Sequence, residues 1–256
     1  MTLSTAVLGS SRWIVAHGAR QPVRRRLVCF PHAGGGASFF REWPALLPPT
    51  VELWVIQYPG RESRLREPFV DTMSALAGTI AGELEPHRTV PLVFFGHSMG
   101  SSVAYEVARR LEARRPGLVR HLVVSGRMAP HRQPVIPTEK MTHRKDDDGL
   151  VATLKRLGAH NVDLLEQQDV RSLILPAVRN DYRLIESYRP GPCRPLQMDV
   201  TACLGVQDHA IDEDDMHAWA EVTRGRFRLH RFPGDHFYLV PHRAEVLATL
   251  ADLLAP

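Results

Sequence analysis

Short apolar runs and segments with a helical periodicity alternate along most of this chain. Runs rich in β-branched and aromatic residues are typical of strands that are buried on both faces. Six segments have this pattern: 27–30, 51–57, 92–95, 122–125, 198–204 and 227–232. Apolar residues recur near the helical period in four further segments: 39–47, 73–84, 101–111 and 244–254. The alternation predicts an α/β fold, in which a mostly parallel central sheet carries helices on both faces.

One interval, from about 128 to 190, departs from this alternation. It contains no strand pattern but two helical segments, 148–157 and 170–188, and Pro and Gly residues flank it. Two interpretations are open: two further packing helices, or a lid that shapes an acyl pocket, which we favour. We therefore predict a single domain over residues 1–256, with a core formed by 1–127 and 191–256 and a lid insertion over about 128–190.

Composition and charge narrow the choice of partners. With 256 residues and 44% hydrophobic residues, the chain is long enough to bury the core of one α/β domain. Its formal net charge is +4, and much of the surplus comes from arginines at 24–26, 109–110 and 114–115. These arginines form either an ordinary solvated surface or a docking face for an acidic protein. We expect no nucleic-acid partner, because no recognised binding module accompanies the basic residues.

Membrane, disulfide and metal signals are weak. No apolar run approaches the roughly 18 residues of a membrane span, and the first residues lack the core of a signal peptide, so we expect a soluble cytoplasmic protein with no membrane partner. Cys29, Cys193 and Cys203 form no Cys-x-x-Cys pair, which fits a reducing compartment. The 13 histidines show no zinc spacing. We expect neither a metal nor a cofactor.

The most informative motif is Gly96-His97-Ser98-Met99-Gly100, which lies between an apolar strand and a helical segment. A Gly-x-Ser-x-Gly sequence in this setting predicts a nucleophile elbow, in which a tight strand-to-helix turn exposes the serine hydroxyl. Ser98 is therefore the candidate nucleophile.

A serine hydroxyl needs a general base, and the base needs an acid to hold its tautomer. In this architecture the acid follows the serine in sequence and precedes the histidine. Asp208, just after the fifth predicted strand, is the candidate acid. Asp212, Asp214 and Asp215 are rivals, but they resemble the acidic first turn of a helix.

His236 is the candidate base. It lies in a loop rich in Pro and Gly after the last predicted strand, which is where a triad histidine is expected. His242, at the start of the last helix, and His230, on the strand, are its rivals.

An acyl-transfer site also needs N–H donors for the oxyanion. The backbone N–H of Met99 follows the nucleophile and is the first candidate. The second is that of Ala33, in the Gly-rich loop 30–36 after the first predicted strand. This loop lacks the Gly-Lys-Ser/Thr ending of a phosphate-binding loop.

Four segments, 27–35, 57–62, 96–100 and 233–239, together closely resemble the type II thioesterases, the free-standing editing hydrolases of polyketide and nonribosomal peptide assembly lines. The Pro-His-Ala-Gly-Gly and Gly-Asp-His-Phe-Tyr-Leu sequences are more specific than the elbow. The resemblance implies an α/β-hydrolase fold with a helical lid, and it assigns Ser98, Asp208 and His236 as the triad and the amides of Ala33 and Met99 as the oxyanion hole. The family often has Gly-Asp-x-Asp-Pro around the acid, whereas this chain has Gly205-Val206-Gln207-Asp208-His209.

The resemblance also implies the substrate and partner. These are acyl groups held as thioesters on the phosphopantetheine arm of acyl or peptidyl carrier proteins, which are typically acidic. We expect the protein to act as a monomer. Two alternatives remain: a general hydrolase of small esters and thioesters, and a hydrolase homologue that binds a carrier protein without turnover.

Overall fold

The central sheet has seven strands and sets the position of every functional loop. The computed structural model describes residues 11–18, 21–87, 89–159, 162–192 and 194–254. Its strands are β1 Ile14–His17, β2 Arg25–Phe30, β3 Val51–Ile56, β4 Leu92–His97, β5 Val119–Ser125, β6 Asp199–Gly205 and β7 Phe227–Phe232. They are ordered β1-β3-β2-β4-β5-β6-β7. All six predicted strands are confirmed.

The sheet is parallel except at one edge. β1 pairs antiparallel with β3, and every other neighbouring pair is parallel. The sequence pattern did not indicate β1, because it has only four residues and alternates between buried and half-buried positions. β7 forms the opposite edge, and five of its six residues are exposed or half-buried.

The described residues form six α-helices: α1 Met73–Leu84, α2 Met99–Arg114, α3 Asp147–Arg156, α4 Gln168–Ser187, α5 Glu213–His217 and α6 Arg243–Leu253. Five of them match the helical periodicity or the acidic helix start noted above within a few residues at their ends, and α4 matches the second helical segment of the insertion. Thr72 caps α1 by accepting a hydrogen bond from the N–H of Ala75 at 3.1 Å.

The predicted helix over 39–47 is wrong. Two short 3-10 turns, Ala37–Phe40 and Trp43–Ala45, replace it. Pro44 lies inside the segment, and because proline has no N–H to donate, a continuous α-helix is disfavoured there. The apolar residues still point inward, since Phe40 and Trp43 are buried.

Two hydrophobic cores lie on opposite faces of the sheet. Alternate side chains of β2 enter different cores: Val28 and Phe30 pack with residues of α1 and α2, whereas Leu27 and Cys29 pack with residues of α6 and the 3-10 turns. Helices therefore cover both faces, as predicted.

The segment that carries α3 and α4 has a small apolar cluster of its own. The cluster contains Leu150, Val151, Leu154, Leu165, Leu175 and Val178. The last turns of α4 belong instead to the larger core, through Leu184 and Ile185. This segment is therefore attached to the sheet at one end of α4 and is packed on itself at the other.

Three observations bear on the expected setting of the protein. No helix in the described residues is both long and apolar enough to cross a membrane. Cys29 and Cys203 are free thiols and are buried, as their apolar surroundings predicted. Burial raises the pKa of both, that of Cys203 to about 12. Cys193 and residues 1–10, on which the expectation of no signal peptide rests, lie outside the described residues.

Candidate active site

The three candidate triad residues lie at the carboxyl-terminal end of the parallel strands. Ser98 directly follows β4, Asp208 follows β6 and His236 follows β7. These strands are parallel, so their carboxyl ends lie on the same side of the sheet. Open α/β sheets place their binding sites at this end.

Ser98 has the strained backbone of a nucleophile elbow. Its φ is 53° and its ψ is −122°, a conformation that side-chain-bearing residues rarely adopt and that costs about 1–3 kcal/mol. Its N–H donates to the carbonyl of Ser125 at 2.8 Å, and α2 begins at the next residue. The turn is therefore tied to the neighbouring strand β5 while the serine stands at its apex.

The two glycines of the motif are required by close backbone contacts. A Cβ atom at Gly96 would lie 2.3 Å from the carbonyl oxygen of Gly100, and one at Gly100 would lie 2.0 Å from the carbonyl oxygen of Phe30. Since both obstacles are backbone atoms, no side-chain rotation relieves the clash. The same contact brings the start of α2 against the loop that follows β2.

Asp208 and His236 form a buried hydrogen-bonded pair. Oδ2 of Asp208 lies 2.7 Å from Nδ1 of His236, and their side chains are 1% and 6% exposed. The other carboxylate oxygen accepts from the N–H of Ala210 at 2.9 Å. A carboxylate at Nδ1 fixes the tautomer and leaves Nε2 for a substrate or nucleophile.

The structure brings His236 to the elbow without a direct bond to the serine. The ring of His97, the residue before Ser98, is 5.0 Å from the ring of His236 between centroids. Within the described residues, no hydrogen bond joins the Ser98 hydroxyl to His236. Such bonds are often long in unliganded hydrolases and tighten on substrate binding.

The rival residues have other partners. Asp212 caps α5 by accepting from the N–H of Asp215 at 2.8 Å, and the side chain of Asp215 returns the bond in a capping box. Asp214 lies in the same first turn. His242 Nδ1 lies 3.0 Å from Glu245 on α6, and His230 lies on the edge strand β7.

The candidate oxyanion donors lie on two adjoining segments. Met99 is the first residue of α2, and Ala33 lies in the loop against which α2 starts. In that loop, the N–H of Gly35 donates to the carbonyl of His32 at 2.9 Å. Among the described residues, neither the Met99 N–H nor the Ala33 N–H donates to another backbone group in a turn or loop. Both are therefore available to a ligand oxygen.

Two further histidines surround the triad and stay neutral. Burial, reinforced by the nearby His236 and His32, holds the pKa of the fully buried His97 well below its usual range. Burial, together with His236 and Arg61, lowers the pKa of His32 to about 3. Both rings are therefore uncharged near neutral pH.

A buried hydrogen-bond chain supports the elbow from below. His97 Nδ1 lies 2.9 Å from the hydroxyl of Ser125, which lies 2.7 Å from that of Tyr238. Ser101 completes the support by donating to the carbonyl of Gly96 at 2.8 Å. Ser125 has no local sequence pattern that marks it, and Tyr238 lies in the Gly-Asp-His-Phe-Tyr-Leu segment without any sign of this role, because the three elements meet only in the folded chain.

A cavity of about 550 Å³ lies between the Gly-rich loop and α4. Its apolar wall includes Phe39 of the 3-10 turn Ala37–Phe40, and Leu173, Ile174 and Ala177 of α4. Ser98 and His236 do not line it, whereas His32 does and also packs against the ring of Phe237 at 4.9 Å. The helical segment therefore forms one wall of an apolar space that reaches the neighbours of the triad.

The described residues include no group of three or more His, Cys, Asp or Glu side chains that could hold a metal ion.

Comparison with known proteins identifies the family. A thioesterase-domain family matches residues 25–254. A probable cadicidin biosynthesis thioesterase of Streptomyces griseus is 39% identical over 254 residues, which cover 99% of this chain and 69% of the relative. Thioesterase PikA5 of Streptomyces venezuelae is 38% identical over 230 residues, covering 90% of this chain and 80% of the relative.

Solved structures agree with these relatives. The type II thioesterase BorB from the borrelidin biosynthetic cluster superimposes with a TM-score of 0.86 at 36% identity, covering 96% of this chain and 99% of that chain. RedJ, a thioesterase from the prodiginine pathway in Streptomyces coelicolor, gives 0.82 at 37% identity, covering 92% and 89%. The chain therefore belongs to the thioesterase family, and within it to the type II thioesterases, with the α/β-hydrolase fold.

Proposed function

We propose that this type II thioesterase hydrolyses acyl or aminoacyl thioesters from the phosphopantetheine arms of carrier proteins, with Ser98 as nucleophile, His236 as base and Asp208 as acid. It thereby removes aberrant or stalled acyl groups from a polyketide or nonribosomal peptide assembly line. The observation that carries the proposal is the buried 2.7 Å pair of Asp208 and His236 at the same sheet edge as the strained Ser98.

In the first half-reaction, Ser98 Oγ attacks the thioester carbonyl while His236 Nε2 takes its proton. Negative charge develops on the carbonyl oxygen, and the N–H groups of Met99 and Ala33 stabilise it. The tetrahedral intermediate then collapses to an acyl-Ser98 ester. The pantetheine thiolate leaves and receives the proton from His236.

In the second half-reaction, His236 takes a proton from water, and the resulting hydroxide attacks the acyl-Ser98 ester. The same oxyanion donors act again. Collapse of the intermediate returns the proton to Ser98 Oγ and releases the carboxylic acid. Asp208 holds the imidazole in one tautomer and stabilises the imidazolium in both halves.

The proposal extends to the setting of the enzyme. It acts in the cytoplasm as a monomer and needs no cofactor or metal of its own, since the thioester is carried by the partner protein. The domain is a single unit, with a core of 1–127 and 191–256 and a lid over about 128–190. The apolar wall that α4 gives to the cavity supports the lid interpretation.

The experiment compares wild type with Ser98→Ala on an acetyl-loaded carrier protein, followed by intact mass, and on acetyl N-acetylcysteamine as a carrier-free thioester. We expect wild type to release acetate faster from the carrier, and Ser98→Ala to lose at least about 10⁴-fold in rate. Circular dichroism checks that both proteins are folded.

The other outcomes discriminate between the alternatives. Turnover of the carrier-free thioester alone would indicate a general hydrolase. Carrier binding without release would indicate a non-catalytic homologue. Substantial hydrolysis by Ser98→Ala would contradict the assignment of the nucleophile.

A further inference from the structure

A buried ion pair between Asp181 of α4 and Arg61 of the loop after β3 lies against the Gly-rich loop that carries the proposed oxyanion donor Ala33. Arg61 Nη1 lies 2.5 Å from Asp181 Oδ2, and Nη2 lies 2.9 Å from Oδ1. The two side chains are 7% and 2% exposed. Burial alone would lower the pKa of Arg61, but Asp181 outweighs it and raises that pKa. The pair is therefore bidentate and shielded from water.

The same two side chains form hydrogen bonds with the backbone of the Gly-rich loop at two positions. Oδ2 of Asp181 accepts from the N–H of Gly34 at 2.8 Å, and Arg61 Nη1 donates to the carbonyl of Gly35 at 3.1 Å. One contact holds a donor and the other holds an acceptor, on adjacent residues. Together they fix both the position and the rotation of the peptide units that follow Ala33.

The Gly-rich loop also packs closely against α4 at Gly34, which leaves no space for a side chain there. Gly34 has a φ of +78°, and a Cβ atom there would lie 2.6 Å from Cγ2 of Val178 on α4. The loop therefore lies directly against the helix, one turn before Asp181. A shift of α4 would move both the van der Waals contact and the hydrogen bond to Gly34.

We propose that Asp181 is a positioning residue for the oxyanion hole, and that α4 of the lid thereby sets the geometry in which the Ala33 N–H meets the developing oxyanion. The inference rests on the proposed function, because it concerns the donors assigned there. Arg61 has a second role in this arrangement, because its guanidinium offsets the negative charge of the Asp181 carboxylate beside the Gly-rich loop.

The primary test is Asp181→Asn, which keeps the shape of the side chain and removes its charge. We expect kcat to fall by about tenfold to 100-fold with KM changed less than about threefold, because displacement of a catalytic group by even 1 Å lowers the rate by about that factor. The substrate is acetyl N-acetylcysteamine, so carrier docking does not contribute. Rates are compared below the unfolding temperature of each protein.

A second readout separates positioning from general damage. A trifluoromethyl ketone analogue of the thioester adds to Ser98 and places an oxyanion in the hole. Its inhibition constant should rise by about the same factor as kcat/KM falls, because both report on oxyanion binding.

Two matched controls remove a buried or lid carboxylate elsewhere. Glu52→Gln breaks the buried ion pair in which Oε2 of Glu52 lies 2.8 Å from Nε of Arg26, near the first residues of β3 and β2. Glu186→Gln removes the α4 carboxylate that lies 2.7 Å from His143 Nδ1. Neither touches the Gly-rich loop, so we expect both to keep kcat within about threefold of wild type.

Asp181→Asn leaves an unpaired guanidinium, which could unfold the protein or itself attract the oxyanion. The double variant Arg61→Gln with Asp181→Asn restores the net charge of wild type and avoids a buried unpaired charge. Positioning predicts that the double variant stays at least about tenfold below wild type.

The proposal is overturned if both variants fold and keep kcat within about threefold of wild type, or if Glu186→Gln loses as much as Asp181→Asn. Hydrolysis that depends on Ser98 but not on Asp181 removes this inference and leaves the proposed function intact. A wild-type protein without thioester turnover removes both.

Discussion

The elbow and the lid are held in place by different forces. At the elbow, backbone atoms meet at contact distance, and Gly96, Gly100 and the fully buried His97 leave no room for adjustment. The outer part of the lid is held by ion pairs with an exposed partner, such as Arg179 with Asp147 at 2.5 Å and Arg183 with Asp71 at 2.7 Å. Steric contacts fix Ser98, whereas the α3–α4 segment combines its own apolar cluster with partly exposed ion pairs.

This difference has a thermodynamic consequence. Exposed ion pairs contribute about 0–1 kcal/mol each and weaken with salt, whereas a backbone clash in a buried turn cannot be screened. The buried pair of Arg61 and Asp181 is the exception on the lid side, because water does not reach it. The α3–α4 segment therefore has a buried ion pair at the Gly-rich loop and ion pairs with an exposed partner on its outer surface.

The largest effect is expected on the rigid side, from Asp208→Asn. Asparagine keeps the shape but favours the wrong imidazole tautomer, so kcat should fall by about 10⁴-fold while the unfolding temperature changes little. Steady-state thioester hydrolysis and circular dichroism provide the two measurements.

Asp212→Asn is the matched control for that variant. It weakens the capping box of α5 without touching His236, so we expect a loss of at most about 1 kcal/mol in stability and nearly unchanged kcat. If Asp212→Asn proved the damaging change, Asp208 would not be the triad acid.

Gly100→Ala tests the steric half of the comparison. Its Cβ would lie 2.0 Å from the Phe30 carbonyl oxygen, so we expect destabilisation by at least about 3 kcal/mol and loss of hydrolysis. Gly82→Ala is the control, because this exposed position in α1 has open space and alanine favours helix by about 1 kcal/mol. Denaturant unfolding measures both, and equal stability of the two variants would contradict the steric argument.

His97→Gln tests the neutral histidine beneath the nucleophile. The pKa of His97 is lowered in the folded protein. Below about pH 6.5 the unfolded chain therefore binds one proton more at this residue than the folded chain, and stability decreases as the pH is lowered. One such proton contributes a slope of up to about 1.4 kcal/mol per pH unit. The variant should show a smaller slope by up to that amount between pH 6 and 4.5 in denaturant titrations. An unchanged slope would show that His97 is protonated in the folded state.

The smallest effect is expected on the lid surface. Asp147→Asn removes the partner of Arg179, and the global free energy of unfolding should change by less than about 1 kcal/mol. Limited proteolysis within residues 143–187 should become faster in the variant, and 0.5 M NaCl should accelerate cleavage of wild type more than of the variant. Salt-independent cleavage of wild type would mean that packing, not charge, holds this surface.

The sequence predicted the sheet better than its margins. Apolar runs identified the central parallel strands because burial on both faces leaves few polar positions, whereas the edge strand β7 was recognised although five of its six residues are exposed or half-buried. β1 escaped because a short edge strand has too few residues to show a period. The segment 39–47 had the right apolar spacing for a helix, but spacing does not register the missing N–H of Pro44.

The candidate site likewise contains residues that the sequence predicted and one that it did not. Ser98, Asp208 and His236 could be proposed because each follows a strand whose end the pattern located, and the structure places the last two 2.7 Å apart. Their catalytic roles stay predictions. Asp181 could not be proposed, since its contact with Gly34 joins residues 147 positions apart and depends on how α4 lies across the loop.

The margins of the sheet also bear on self-association. An exposed strand edge is a template on which another chain can add and begin to aggregate. Here the β1 edge is only four residues long, and the β7 edge interrupts its apolar residues with Arg228, His230 and Arg231. A charged side chain at a strand edge, such as that of the exposed Arg228, opposes the addition of another strand. The short β1 and the polar interruptions of β7 thus act as gatekeepers against edge-to-edge association.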